Sequence, residues 1–192
     1  MLNDRSLFVA LIGAVLLPLW ASAVQAQDFW AVLKKPGAVV LLRHSNAPAE
    51  PPDADLENLK NCKTQRNLDD AGRAQARRIG DEFRKRGIKQ ARIYSSQYCR
   101  TLETARLLKL GSVAELSALN QAFYTQPTVL RASADKSVQF MKTLRGKGLA
   151  VLVSHVSNIQ SIAGVQLDSG EMAAVRFGSA GEVVVDGRLL VK

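Results

Sequence analysis

The sequence is poor in several residue types, and each shortage narrows the class of protein. The 192 residues include two cysteines and two histidines. Because their spacing matches no zinc pattern, we expect no metal site and no cofactor. Aromatic residues make up 6% of the chain. No basic stretch is interleaved with them, which argues against nucleic-acid binding.

Acidic residues are also scarce. The chain has 17 Asp+Glu against 26 Lys+Arg, a formal net charge of +9. Such a surface attracts anions, including phosphorylated molecules and acidic membranes, although a solvated basic face explains the same count. The 47% hydrophobic and 22% charged content are typical of a globular chain with a substantial core.

The apolar stretch at the N-terminus is shorter than the roughly 20 residues that a membrane-spanning helix needs. Residues 7–19 are almost wholly apolar, follow a polar head and precede the small-residue run ASAVQAQ. This pattern predicts a signal peptide over residues 1–26, cleaved after Ala26 or Ala23. We then expect one domain over residues 27–192, periplasmic or secreted. An uncleaved signal that anchors the chain to the membrane is the alternative.

The predicted location outside the cytoplasm bears on the two cysteines, Cys62 and Cys99. An even number of cysteines in an oxidising compartment favours a disulfide between them, while two separate buried thiols are the alternative.

Apolar runs alternate with helical patterns along the chain. Strands are predicted over 38–42, 91–94 and 149–153, and a closing hairpin over 172–177 and 182–186. Helices are predicted over 28–35 (capped by Asp28), 69–86, 100–109, 135–145 and 157–163. This order predicts an α/β fold, a three-layer α/β/α sandwich with a mostly parallel central sheet.

Polar residues follow three of the predicted strands. AVVLL leads into Arg43, His44 and a serine, ARIY into two serines and then Arg100, and LAVLV into a serine and His155. Ligands of open α/β sheets bind beyond the carboxyl ends of the strands. Both histidines and two arginines are therefore expected at one sheet edge, unless each histidine only caps its own strand. Arginine grips phosphate and histidine can act as a nucleophile, so the set describes a phosphate pocket.

Four segments carry a family resemblance, in order, between residues 37 and 165. They are LLRHS, NLDDAGRAQA, IYSSQYCRTLETA and VLVSHVSNIQ. Together they resemble the histidine phosphatase superfamily, which is phosphoglycerate mutase-like in fold. The signal peptide and the CKTQRNL stretch make the chain similar to the periplasmic bacterial branch of that superfamily.

The resemblance implies a role for each matching residue. His44 would attack phosphorus and form a phosphohistidine that water hydrolyses, with nearby cations helping to keep its ring neutral. Arg43, Arg100 and His155 would bind the phosphoryl oxygens, and Ser45, in place of the usual glycine, would lie beside them. The substrate would be a small phosphorylated compound, such as a sugar phosphate of the cell envelope.

The proton donor for the leaving oxygen is the main departure from the family pattern. Asn120 stands where glutamate is expected. The candidates to replace it are Glu115, Glu171, Glu50 and three other acids of the 46–57 loop, Asp53, Asp55 and Glu57. Each is equally compatible with a solvated surface carboxylate. Gln65, Arg66 and Asn67 precede a helix and are further candidates to line the pocket.

Two other functions are compatible with the same residues. A chain that has lost its acid would be a phosphate-binding envelope protein without turnover. A basic envelope-interaction protein would depend on its surface lysines and not on its histidines. The sequence defines no oligomeric state.

Overall fold

The computed structural model of the chain describes residues 29–55 and 57–192. The predicted signal peptide, its two cleavage points and the Asp28 cap lie outside the described residues. Within them, no helix combines the length and the apolar character needed to cross a membrane.

The described residues contain six strands and five α-helices, which alternate along the chain as far as β5. The strands are β1 (Val39–Arg43), β2 (Arg92–Ser95), β3 (Val113–Glu115), β4 (Ala150–Ser154), β5 (Glu171–Phe177) and β6 (Val183–Leu190). The helices are α1 (29–33), α2 (Asp70–Lys85), α3 (Cys99–Leu107), α4 (Pro127–Lys142) and α5 (Val156–Ala163).

The strands form one sheet in the order β3-β2-β4-β1-β5-β6. The pairs β3–β2, β2–β4 and β4–β1 are parallel, whereas β1–β5 and β5–β6 are antiparallel. The predicted α/β fold with a mostly parallel sheet is therefore confirmed. β1 and β4 lie between other strands and are covered on both faces, which explains why their sequences are continuous apolar runs.

Each face of the sheet carries its own apolar core. Val40 and Leu42 of β1 point to the face covered by α1, α2 and α3, while Val39 and Leu41 point to the face covered by α4 and α5. This alternation is the period of two expected of a strand. It completes the three-layer arrangement and leaves the carboxyl ends of β1, β2 and β4 at one edge.

Two glycines set how closely α2 packs. Asp69 caps the helix by accepting the Gly72 N–H at 2.6 Å. A Cβ atom at Gly72 would lie 2.1 Å from the Asn46 carbonyl oxygen, and one at Gly80 would lie 2.2 Å from the Leu108 carbonyl oxygen. Only glycine permits both approaches, so α2 packs directly against the loop that follows β1 and against the end of α3.

Two elements differ most from the sequence prediction, while β6 runs four residues beyond its predicted end and α1 ends two residues early. α4 begins at Pro127, eight residues before the predicted start, because its first half is solvent-exposed and lacks an apolar stripe. Strand β3 was not predicted, since it has three residues and lies at the sheet edge with partly exposed side chains. For both, the tertiary contacts and not an apolar pattern define the element.

Candidate active site

The two histidines meet at the carboxyl edge of the sheet. In the β1–β4 register Arg43 faces Ser154, and the His44 N–H donates to the Ser154 carbonyl at 3.0 Å. The Ser96 N–H donates to the Val153 carbonyl at 3.0 Å. The ring centroids of His44 and His155 are 5.4 Å apart. The predicted convergence is thus present, and the backbone ladder fixes it.

We call this group the strand edge and define it as Arg43, His44, Ser45, Ser96 and His155. Opposite it runs the loop between β1 and α2, residues 46–67, which we call the loop wall. Arg100, in the first turn of α3, lies between the two.

His44 is held as a neutral ring with one defined tautomer. The side chain is 4% exposed, and its Nδ1 lies 2.8 Å from the Ser45 carbonyl oxygen. Because a carbonyl can only accept, Nδ1 carries the proton and Nε2 carries a lone pair. Burial, followed by the charges of Arg100 and Arg43, lowers the pKa of His44 to about 3. The ring is therefore uncharged at any ordinary pH, and burial lowers its pKa more than the predicted neighbouring cations do.

His155 is the second buried ring of the strand edge. It is 2% exposed, and its Nε2 lies 2.9 Å from the Ser96 hydroxyl. Burial, then the proximity of His44 and of the arginines, lowers its pKa well below the usual value. Tyr98 packs edge-on against this ring with 4.9 Å between centroids. His155 is thus a packed, uncharged ring beside His44.

Arg100 is buried and forms a bidentate ion pair with a carboxylate. Its side chain is 1% exposed, with Nη1 3.1 Å and Nη2 3.3 Å from the two oxygens of Asp53. Nη2 also donates to the Gln121 side chain, and the guanidinium lies 4.7 Å from the Tyr98 ring centroid. Asp53 is itself only 11% exposed, so this ion pair is shielded from solvent.

Arg43 borders the pocket from the β1 side. Its Nη1 donates to the Leu167 carbonyl at 2.9 Å, which fixes the guanidinium in place. The Gly170 N–H lies 3.2 Å from the Arg43 carbonyl and 3.1 Å from the His44 carbonyl. Gly170 has a φ of +76°, a conformation that favours glycine, so the turn before β5 closes against the strand edge.

Buried polar side-chain atoms without a hydrogen-bond partner cluster in this pocket. In the described part of the chain they are Arg43 Nε, Ser45 Oγ, Arg66 Nε, Arg100 Nε and His155 Nδ1. Such atoms are rare in folded proteins, so five of them in residues at or near one edge of the sheet mark this region as the candidate site. Four of them belong to residues that the family resemblance assigns to phosphate. The fifth belongs to Arg66.

The carboxylates predicted as proton donors lie in different surroundings. Glu171 is bound by both nitrogens of the Arg188 fork at 2.9 Å and accepts the Asp168 N–H at 2.8 Å, so its oxygens are occupied. Glu115 is exposed and accepts from Gln97 at 3.2 Å, and Glu50 is exposed.

Asn120 and Asp53 lie closer to the pocket than these glutamates. The Asn120 Oδ1 lies 3.3 Å from the Ser96 hydroxyl and accepts the Gln97 N–H at 2.8 Å. The alternative acids Asp55 and Glu57 interact with each other through the Glu57 N–H at 3.1 Å. Asp53 is the candidate acid that pairs with Arg100.

The loop wall is fastened to α3 by a disulfide. Cys62 and Cys99 are bonded, as the cysteine count predicts, with 5.7 Å between their Cα atoms. Beside the bond, the Gln65 side chain accepts the Cys99 N–H at 3.0 Å and donates to the Leu59 carbonyl at 2.8 Å. The loop thus reaches the residue next to Arg100 through one covalent and one polar contact.

Three supporting residues carry little or no signal in the sequence. The Thr104 hydroxyl accepts the Ser45 N–H at 3.1 Å, and Tyr98 packs between Arg100 and His155. Thr104 lies within the motif R-x-x-x-T-A, so its spacing to Arg100 was an available signal. Gln121 follows the unexpected Asn120, and nothing in the sequence marked it.

The fold and the pocket define an α/β protein with two arginines and a buried neutral histidine at one edge of its sheet. Within the described residues, no group of three or more histidine, cysteine or acidic side chains could hold a metal ion. Residues 39–122 match the model of the histidine phosphatase superfamily (branch 1). The matched segment, which runs from β1 past α3, carries the similarity of the chain to this superfamily. No curated protein matches the sequence.

Solved structures with the same fold share little sequence. The protein histidine phosphatase SixA complexed with tungstate is 13% identical, with a TM-score of 0.56 over 80% of this chain and 96% of that one. Phosphoserine phosphatase from Entamoeba histolytica, in complex with 3-phosphoglyceric acid, is 15% identical (TM-score 0.59, 81% and 98%). Mycobacterial glucosyl-3-phosphoglycerate phosphatase with VO3 is 15% identical (TM-score 0.53, 78% and 97%). These similarities establish the shared fold.

Proposed function

We propose that the chain is a phosphohydrolase that cleaves a phosphate monoester, or a related phosphorylated compound, through a phosphohistidine on His44. The observation that carries the proposal is the Nδ1 hydrogen bond of His44 to the Ser45 carbonyl. It leaves the Nε2 lone pair on a ring that stays uncharged, beside Arg43, Arg100 and His155. Phosphoryl transfer requires mainly positioning and positive charge, and this set supplies both.

The reaction has two balanced steps. In the first, the Nε2 lone pair attacks phosphorus, a P–N bond forms, and the P–O bond to the leaving group breaks with a proton passing to the leaving oxygen. In the second, water attacks phosphorus and passes a proton back to the group that donated one in the first step, while the P–N bond breaks and inorganic phosphate leaves. Arg43, Arg100 and His155 would stabilise the charge on the phosphoryl oxygens in both steps.

Asp53 is our candidate for the proton donor. Its carboxylate pairs with both terminal nitrogens of Arg100. A bound phosphoryl dianion would compete for that guanidinium and bring a second negative charge beside the carboxylate. A carboxyl group released from Arg100 in this way would be free to pass a proton to the leaving oxygen.

The test is hydrolysis of an aryl phosphate and of acetyl phosphate by the purified full chain, with His44→Ala as the control. Turnover of both substrates, lost in the variant, is the expected result. Turnover of acetyl phosphate alone would mean that no acid is supplied and that the leaving group must depart unaided.

A second function, phosphate binding without turnover, rests on Asn120 at the expected position of the acid. It predicts that the chain binds phosphate and hydrolyses neither substrate. The signal peptide, the single domain over residues 27–192 and the periplasmic or secreted location are part of our proposal. The disulfide supports that location.

A further inference from the structure

We infer that Arg66 is a third phosphate-binding arginine and that, through it, the pocket selects a phosphoryl group with two negative charges. This inference rests on the proposed phosphohydrolase function and deepens it. None of the four family segments includes Arg66, which lies on the loop wall just before α2.

Backbone and side-chain contacts hold Arg66 in position, but the Nε edge of its guanidinium has no hydrogen-bond partner. Its backbone N–H donates to the Asp53 carboxylate at 2.8 Å, and its carbonyl lies 3.4 Å from Nη1 of Arg100. Its Nη2 lies 3.4 Å from the Ala47 carbonyl. The Nε is buried and has no partner, a property it shares with the Nε atoms of Arg43 and Arg100. An oxyanion in the pocket is the group that can satisfy all three.

The charge of Arg66 reaches both histidines of the strand edge. It contributes to the lowered pKa values of His44 and His155, as the charges of Arg43 and Arg100 do. Arg66 therefore acts electrostatically on the same space as the arginines that the family resemblance assigns, although it comes from the opposite wall.

The sum of charges in the pocket indicates the substrate class. Three arginines face one shielded carboxylate, Asp53, and both histidines are uncharged. A second carboxylate, Asp168, acts on Arg43 but is exposed to solvent, which screens its charge. The shielded groups alone therefore carry an excess of two positive charges. A phosphate monoester or an acyl phosphate brings a terminal phosphoryl group with about two negative charges near neutral pH. A phosphodiester brings one. We therefore expect the pocket to prefer monoesters and acyl phosphates over diesters.

The test compares two tetrahedral oxyanions of similar size, sulfate with two charges and perchlorate with one, at a single pH by calorimetric titration of the full chain. We expect Arg66→Ala to weaken sulfate binding by about tenfold or more and perchlorate binding by much less, which narrows their affinity ratio. Arg66→Lys keeps a charge without the fork and should recover part of the loss. Arg176→Ala is the matched control, because Arg176 pairs with Asp186 near the opposite end of β5.

Sulfate affinity that is unchanged in Arg66→Ala would overturn the assignment of Arg66. An equal loss for both anions would overturn the charge selection. If Arg66→Ala fails to fold, the same comparison is made with Arg66→Lys. In that variant, an unchanged sulfate affinity together with an unchanged ratio of the sulfate and perchlorate affinities would contradict the inference. Turnover plays no part in these readouts. A chain that binds sulfate but hydrolyses no phosphate would remove the proposed function and leave the Arg66 assignment standing.

Discussion

The strand edge and the loop wall face the same pocket, but different interactions hold them. The strand edge is an extension of the β1–β4 ladder, with His44 bonded backbone to backbone to Ser154. In its described residues, the loop wall has no strand or α-helix. A disulfide, the Gln65 side chain and the Asp53–Arg100 pair fasten it to α3.

This difference suggests a division of labour. A backbone ladder buried on both faces holds reacting groups in a fixed geometry, as attack on phosphorus requires. A loop held by side chains can adjust its contacts as an anion enters. We therefore assign bond making to the strand edge, and charge selection and proton delivery to the loop wall. Substitutions in the two regions should then differ in which kinetic constant they change.

The largest effect is expected at the strand edge from His155→Gln. Loss of the ring removes a preorganised group beside the phosphoryl oxygens, so kcat should fall about 10²–10³-fold for an aryl phosphate and for acetyl phosphate alike. Steady-state kinetics with both substrates checks this, with Arg176→Ala as a control expected to match the unmodified chain. A fall in kcat of less than about tenfold would remove His155 from the reacting set.

Asp53→Asn should produce the next largest effect, and one that depends on the substrate. Asparagine keeps the shape but cannot donate a proton to the leaving oxygen. We expect kcat/KM to fall about 10²-fold for phenyl phosphate, whose leaving group needs a proton, and far less for acetyl phosphate. The matched control is Asp186→Asn, on β6, where the carboxylate pairs with Arg176. Equal losses for both substrates would show that Asp53 only positions Arg100.

Removal of the disulfide should have a smaller effect on catalysis, mainly on KM. The bond closes a loop between residues 37 positions apart, so its loss in the Cys62→Ser/Cys99→Ser double variant should cost about 2–4 kcal/mol of stability. Without the bond, the loop wall would be held less tightly against α3, while the strand edge would keep its backbone hydrogen bonds between β1 and β4. Thermal unfolding and kinetics of the variant, and of the reduced native chain, test this. A collapse of kcat with KM unchanged would contradict the division of labour.

The two buried histidines should also make stability depend on pH. His44 titrates near 6.5 when unfolded and at about 3 when folded, so the unfolded state binds more protons in between. Stability should be complete above about pH 6.5 and fall as the pH drops toward about 3. His155 acts in the same direction.

Urea unfolding at several pH values measures this slope. In His44→Asn, the slope of unfolding free energy against pH should decrease by the amount that corresponds to about one proton. The Arg176→Ala control should leave this slope unchanged. An unchanged slope in His44→Asn would mean that the buried ring does not remain neutral in the folded chain.

The strand edge was predictable from the sequence because short patterns encode it. The segment VVLLRHS predicts a buried strand followed by polar residues, and the segment LAVLVSH predicts the same arrangement for β4. Parallel pairing then brings their ends together without further information. The central helices were predictable for similar reasons, since Asp69 caps α2 and Gly164 ends α5 in a left-handed conformation.

The loop wall could not be predicted in the same way. Asp53 is one of several acids in a polar loop, and no periodicity distinguishes it from Glu50 or Asp55. Its contact with Arg100 depends on the path of the loop, which the close approach at Gly72 and the disulfide determine together. Contacts of this kind join residues far apart in the chain and leave no local pattern.

The central claim is that His44 takes the phosphoryl group, and rapid quenching during turnover tests it most directly. The full chain would be mixed with a phosphorus-labelled aryl phosphate, quenched under alkaline conditions that preserve phosphohistidine, and digested for mass spectrometry. Our account predicts label on the peptide that contains His44, and none in His44→Ala. Turnover without label on His44, or label on another residue, would contradict it.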